Sequence, residues 1–162
     1  MKTLQDLFEH QLKDLYSAET QLLDALPKVG KRANNGDLKN AFEAHLEETK
    51  EHKQRLERIC NALDISTSGE TCKAMKGLIQ ETESFIDEVG DKAVMDAGLI
   101  AEAQRIEHYE ISAYGTAVRY AKELGFDEIA TILQKTLDEE YQADNKLDKL
   151  AEGRLNTKAK VR

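Results

Sequence analysis

The stretch DISTSGETCKAMKGLIQETESFIDEVGD, residues 64–91, decides the architecture of this chain. It opens on a breaker, Thr67-Ser68-Gly69, and closes on Gly90 followed by Asp91. Between them Met75, Leu78, Ile79, Phe85, Ile86 and Val89 fall at helical spacing, so the segment predicts one short helix between two loops. A connection of this length can cross a whole domain, whereas antiparallel neighbours need only a short turn.

Outward from it the chain reads as four long amphipathic helices. Leu4, Phe8, Leu12, Leu15, Leu22, Leu26 and Val29 form the first stripe, with Thr3 placed to cap it and Asp6 in its first turn. Pro27 predicts a kink or irregular turn just before it. Asn34-Asn35-Gly36 stops this helix, and Asp37 is the expected cap of the second, 38–63, with Leu38, Ala41, Phe42, Leu56, Ile59 and Leu63. Asp91 caps the third long helix, whose stripe runs from Met95 through Leu99, Ile106, Ala113 and Ala117 to Leu124, closed by Gly125. The last runs from about Asp127 to Ala151, carrying Ile129, Leu133, Leu137 and Leu147. Two tight hairpins joined by one long crossover is the connectivity of a ferritin-like bundle; an up-down-up-down bundle needs only a short middle loop. The expected fold is therefore all-α, a four-helix bundle over residues 1–153 with an extra short helix in the crossover, followed by a basic flexible tail, 154–162.

Composition agrees. One proline, nine glycines and no tryptophan in 162 residues suit long unbroken helices and argue against a β-sandwich. A net charge of −8 makes nucleic acid a poor partner. No apolar run approaches a membrane span and the N-terminus has no signal core, so a cytoplasmic protein is expected. Cys60 and Cys72 form no CxxC and read as two reduced thiols.

The informative residues are polar ones where the stripes demand apolar ones. Glu19 lies between Leu15 and Leu22, Glu110 between Ile106 and Ala113, and Glu140 between Leu137 and Leu147. Glu107 stands one turn before Glu110, and Asp144 one turn after Glu140. His45 and His52 share the second stripe, with Glu48 on its flank and Thr49 on its face. Taken singly each has a plain reading: a helix-edge glutamate, a satisfied core histidine, a solvated i,i+3 pair. Tyr16, Tyr109 and Tyr114 read as packing, their phenols bonded to neighbours. Together, ionisable groups at mid-length on four helices require compensation, because burying like charges costs several kcal/mol. A pair of divalent cations held by oxygen and imidazole ligands supplies it, with iron (Fe) or manganese (Mn) the metals that suit these donors. Tyr16-Ser17-Ala18-Glu19 and Glu107-His108-Tyr109-Glu110 place two glutamates alike, as if the hairpins were related by a two-fold. A second repeat, Leu46-Glu47-Glu48 with Leu56 against Leu137-Asp138-Glu139 with Leu147, aligns Glu48 with Glu139 although the stripe prefers Glu140.

The stretches His45-Leu46-Glu47-Glu48-Thr49, Lys73-Ala74-Met75-Lys76-Gly77-Leu78-Ile79, Glu107-His108-Tyr109-Glu110-Ile111-Ser112-Ala113-Tyr114-Gly115-Thr116 and Thr136-Leu137-Asp138-Glu139-Glu140 resemble the YciE/YciF family of bacterial ferritin-like stress proteins, from about residue 4 to 155. The resemblance implies a bundle related to rubrerythrins, usually paired as a homodimer. Carried over residue by residue, the di-iron pattern of such bundles places its first-helix glutamate on Glu19, its ExxE pair on Glu107 and Glu110, and its last-helix glutamate on Glu140. The ExxH motifs do not match. Thr49 stands where a glutamate would precede His52, leaving Glu48 or His45 as substitutes, and Ala143 replaces a histidine, with Asp144 beside it. The expectation is one or two ions per chain, iron before manganese, with reduction of oxygen or peroxide, as a ferroxidase or peroxide-reducing protein, as the chemistry. The alternative is a structural or partner-binding stress protein with a degenerate metal site. Iron storage would need a closed many-subunit shell, for which the sequence gives no sign. Leu7, Leu23, Leu46 and Val118 lie off the bundle face and are candidates for a dimer surface.

Overall fold

A computed structural model of the chain describes residues 1–160, apart from the side chain of Arg154. The elements in chain order are α1 (Leu4–Gly30), α2 (Gly36–Ala62), α3 (Lys73–Glu88), α4 (Lys92–Glu123), α5 (Asp127–Leu150), a π-helical turn (Ala151–Leu155) and α6 (Asn156–Lys160). No strand occurs among the described residues. α1 pairs with α2 and α4 with α5; α1 against α4 and α2 against α5 close the bundle, and α3 lies across α4 and α1. This is the all-α, ferritin-like arrangement that the crossover implied.

The helix ends follow local chemistry. Thr3 and Asp6 form a reciprocal capping box at the start of α1. Pro27 does not end α1, which runs on to Gly30; with no N–H to donate, the proline costs the ladder one bond in the last turn without breaking the helix there. The cap of α2 is Asn35, not Asp37: its side chain accepts from the Leu38 amide, and Asp37 falls in the first turn. The Asn34 and Asn35 amides donate to Asp96 of α4 at 2.6 and 3.0 Å, which fastens the α1–α2 turn to the other hairpin. α2 stops at Ala62, ahead of Thr67-Ser68-Gly69, with Asp64 in the left-handed region at φ 54°. Asp91 caps α4 as expected, accepting from Ala93 and Val94.

The crossover helix is docked by a glycine. A Cβ on Gly98 of α4 would lie 1.9 Å from the Phe85 ring of α3, so only glycine lets this ring reach the α4 backbone. The C-terminal segment is less of a tail than the sequence implied. Its backbone is helical to Lys160 and Leu155 is 5% exposed, packed with Leu147 and Leu99 in the core. An apolar residue after Arg154 is enough to hold the chain down; Val161 and Arg162 lie outside the described residues. Among the proposed dimer-surface positions, Val118 is buried within its own chain, 4% exposed, while Leu7 and Leu23 are half-buried and Leu46 packs against the core edge.

The core is in two parts. One gathers Phe8, Leu12, Leu15, Leu56, Tyr114 and Leu133. The other gathers Leu22, Leu26, Phe42, Leu99, Ile106 and Leu147. Each long helix crosses from one part to the other, and the polar layer sits at the crossing: Glu19 between Leu15 and Leu22, the histidines between Phe42 and Leu56, Glu110 between Ile106 and Ala113. Apolar packing flanks that layer on both sides along the bundle.

Candidate metal centre

Four helices deliver the layer. Glu19 comes from α1, His45 and His52 from α2, Glu107 and Glu110 from α4, and Glu140 from α5. Spacings of three on α4 and seven on α2 come close to one and two turns, so each set projects from one face. All six residues are buried, at 6% exposure or less. Their donor atoms form two groups in which every atom lies within 4.8 Å of the others: His45, Glu107, Glu110 and Glu140, and Glu19, His52 and Glu140. Glu140 belongs to both.

Three histidine–carboxylate pairs run through the layer. His45 Nε2 lies 3.4 Å from Glu107 Oε1. His52 Nδ1 lies 3.0 Å from Glu140 Oε1 and 3.5 Å from Glu19 Oε1. Burial alone would lower both histidine pKa values. Glu107, Glu48, Glu140 and Glu19 instead carry His45 up to about 9, and Glu140 and Glu19 carry His52 up to about 11. Burial pushes the carboxyls up as well. Glu107 rises to about 8, with Glu140 adding to the effect of burial and His45 opposing it. Glu110 rises well above the carboxylate range through burial and the charges of Glu140, Glu19 and Glu107. Both carboxylate oxygens of Glu110 and of Glu140, one each of Glu19 and Glu107, both nitrogens of His45 and Nδ1 of His52 are buried without a hydrogen-bond partner. Such orphaned atoms converging on one spot fit the donor set of a cation site.

Six of the eight sequence candidates are thus brought together. Glu48 and Asp144 stand outside both groups. Glu48 bridges from His45 Nδ1, 3.8 Å away, to Lys146 Nζ at 3.4 Å. Asp144 is held by Gln104 Nε2 at 3.0 Å and His108 Nε2 at 3.2 Å. Thr49 offers no ligand, since its hydroxyl donates to the His45 carbonyl at 2.8 Å within the helix.

Around the layer lie partners that spacing did not single out. Glu139 Oε2 is 3.0 Å from His52 Nε2, so the ring presents Nδ1 to the carboxylates. Arg55, 5% exposed, pairs with both oxygens of Glu139 and donates to Thr136 Oγ1 at 3.0 Å. Arg55 lies one turn after His52 in the same stripe, which was the available signal. The tyrosines carry the expected phenol bonds: Tyr114 donates to Glu19 at 2.5 Å, Tyr109 to Asp14 at 2.5 Å and Tyr16 to Glu57 at 2.9 Å. Cys60 and Cys72 are free and buried, with Cys72 Sγ 2.8 Å from the Tyr109 hydroxyl. No helix among the described residues is long and apolar enough to cross a membrane.

Residues 3–160 match the family model described as Domain of unknown function (DUF892). Protein YciF of Escherichia coli K12 is 43% identical over 160 residues, 98% of this chain and 96% of its own length. The crystal structure of that E. coli stress protein superposes with a TM-score of 0.92, covering 96% of this chain and 99% of the other. YcfI of Rhodopseudomonas palustris, provisionally described as a structural protein, is 43% identical with a TM-score of 0.89 and coverage of 91% and 94%. A protein of Xanthomonas campestris pv. campestris shares the fold at 19% identity and a TM-score of 0.77, over 98% of this chain and 100% of its own. The chain belongs to the DUF892 family, the family of the bacterial stress protein YciF.

Proposed function

We propose that this protein holds two first-row transition metal ions in the buried layer, iron in preference to manganese, and that it serves oxidant chemistry under stress. The observation that carries this reading is Glu110, fully buried with neither carboxylate oxygen hydrogen-bonded. Four carboxylates face two imidazoles in a buried layer, so without metal the charge balances only when carboxyls such as Glu110 and Glu107 hold protons. A divalent cation removes that need. His45, Glu107, Glu110 and Glu140 would hold one ion, and Glu19, His52 and Glu140 the other. Imidazole and carboxylate without thiolate suit iron or manganese.

Such ions, when bound, supply one-electron redox capacity toward oxygen or peroxide. The chain's own residues prepare the site. Glu139 and Arg55 fix the His52 ring, Tyr114 holds one Glu19 oxygen, and the two apolar clusters flank the layer. The chain is proposed to act as a homodimer, as its family resemblance implies; light scattering at micromolar concentration giving a monomer mass would refute that.

A second reading, a structural protein that needs no metal, is favoured by the same ion pairs, since protonated His45 and His52 already offset two of the carboxylates. Elemental analysis after anaerobic reconstitution separates the two. About two ions per chain supports the metal centre; less than about half an equivalent of any metal supports the structural reading.

A further inference from the structure

The polar layer is closed differently at its two histidines. The His52 ring is fully buried, with Tyr114 set edge-on at 6.2 Å and Glu139 and Arg55 across its far nitrogen. Beside His45 a cavity of about 20 Å³ opens between α2 and α5, bordered by His45, Glu48, Glu107, Ala143 and Lys146. That volume admits about one water-sized occupant. The inner wall is the ligand set itself: His45 and Glu107 are 6% and 3% exposed, and both His45 nitrogens and Glu107 Oε2 lack hydrogen-bond partners. The outer wall is polar and wet. The Glu48 side chain is 32% exposed and that of Lys146 51%. Glu48 spans the gap, with Oε2 3.8 Å from His45 Nδ1 and Oε1 3.4 Å from Lys146 Nζ. Asp144, on the same side of α5, adds negative charge that is felt at Glu107.

We propose that this opening is the path by which a divalent cation enters the centre, with Glu48 as the transfer station and Lys146 as its gate. The inference rests on the metal reading above. One Glu48 oxygen faces the exposed ammonium and the other faces a buried ligand, so an ion captured outside needs only a side-chain rotation to reach His45 and Glu107. Lys146 competes for the same carboxylate. An incoming dication displaces it, and a departing one is replaced by it. Ala143 keeps the gap open because a methyl group fills so little of it.

The test is stopped-flow binding of Co2+ to the chelator-stripped full-length protein, followed by d–d absorption, with affinity measured separately at equilibrium. Lys146→Met is expected to speed association about threefold at low salt, and Glu48→Gln to slow it about tenfold, both differences shrinking at high ionic strength. Ala143→Leu is expected to slow association in a salt-independent way. A station is visited in both directions, so release into excess chelator should change by the same factor and the affinity stay within about twofold. If the wild-type protein takes up no Co2+, the metal reading falls and the path with it. Uptake at wild-type rates in all three variants overturns the path and leaves the centre intact. Loss of affinity in Glu48→Gln through faster release, with association unchanged, makes Glu48 a ligand and overturns its role as a station.

Discussion

The two imidazoles of the centre sit seven residues apart on one helix, each with a glutamate and a cation behind it, and the fold treats them oppositely. Behind His52 stand Glu139 and Arg55, the arginine 5% exposed and bonded to Thr136 as well. Behind His45 stand Glu48 and Lys146, in a wet opening. The same chemical triplet is a fixed brace in one place and a loose tether in the other. An ion pair at the surface contributes little because water and salt screen it. One withdrawn from water is worth little when complete but is costly to break, because the survivor is left buried and unpaired. The metal centre proposed above would have to hold its shape and still exchange its occupant, and one side of each kind would serve both needs.

Glu140 is the residue common to both sides, and removing it should have the largest effect. Glu140→Gln is expected to weaken metal binding at both subsites by more than about 100-fold, beyond the usual cost of losing a group that only orients a ligand. Glu19→Gln, confined to the His52 group, should leave the His45 group loaded. Metal titrations of the two variants check this; equal residual stoichiometry would mean that Glu140 is not shared.

Next comes the stability difference between the two braces. Arg55→Met should cost about 1–2 kcal/mol in chemical denaturation of the metal-free protein, since it leaves Glu139, 22% exposed, with only His52 and Lys135 and loosens the brace on the His52 ring. Lys146→Met should stay within about 0.5 kcal/mol. Similar losses in both would erase the proposed contrast.

Much of this was legible in the sequence. Glu19, Glu110 and Glu140 interrupt apolar stripes at positions where the period demands burial, and all three are fully buried. The crossover followed from the length between Gly69 and Gly90. What spacing could not resolve was the flank of a helix face from its centre: Glu48 and Asp144 lie within a turn of true core positions, yet their carboxylates turn to Lys146 and to Gln104 and His108. The weak internal repeat that aligned Glu48 with Glu139 fits their common place behind an imidazole. Arg55 was missed because an arginine in a stripe reads as a side chain reaching for solvent. Its partners are on α5, a relation visible only in the folded bundle. Gly98 was silent for the same reason, since it is needed only once Phe85 of α3 has docked.

The smallest expected effect concerns pH. In the metal-free protein burial and the charges of Glu140, Glu19 and Glu107 hold the Glu110 carboxyl above its ordinary range. The native state therefore keeps a proton that the unfolded chain releases near the normal carboxylate pKa. Stability from such a group is complete below that unfolded value and is lost as pH rises through the folded one. Glu107, raised to about 8, and His45, raised to about 9, act in the same direction. The chelated protein should thus become less stable between about pH 5 and pH 9, the reverse of a protein whose carboxylates are paired with cations. Glu110→Gln removes one contributor while keeping the shape. At neutral pH the metal-free variant should match or exceed the wild type, by on the order of 1 kcal/mol or about 2–4 °C in melting temperature, with the gap widening as pH rises. With metal the order should invert, because the variant loses stabilisation that depends on ligand binding to the native state. Melts at several pH values, with metal and with chelator, decide it. A difference between the two proteins that is flat from pH 5 to 9, together with equal metal-induced stabilisation, would place Glu110 outside the centre and leave the His45 side with three donors, His45, Glu107 and Glu140.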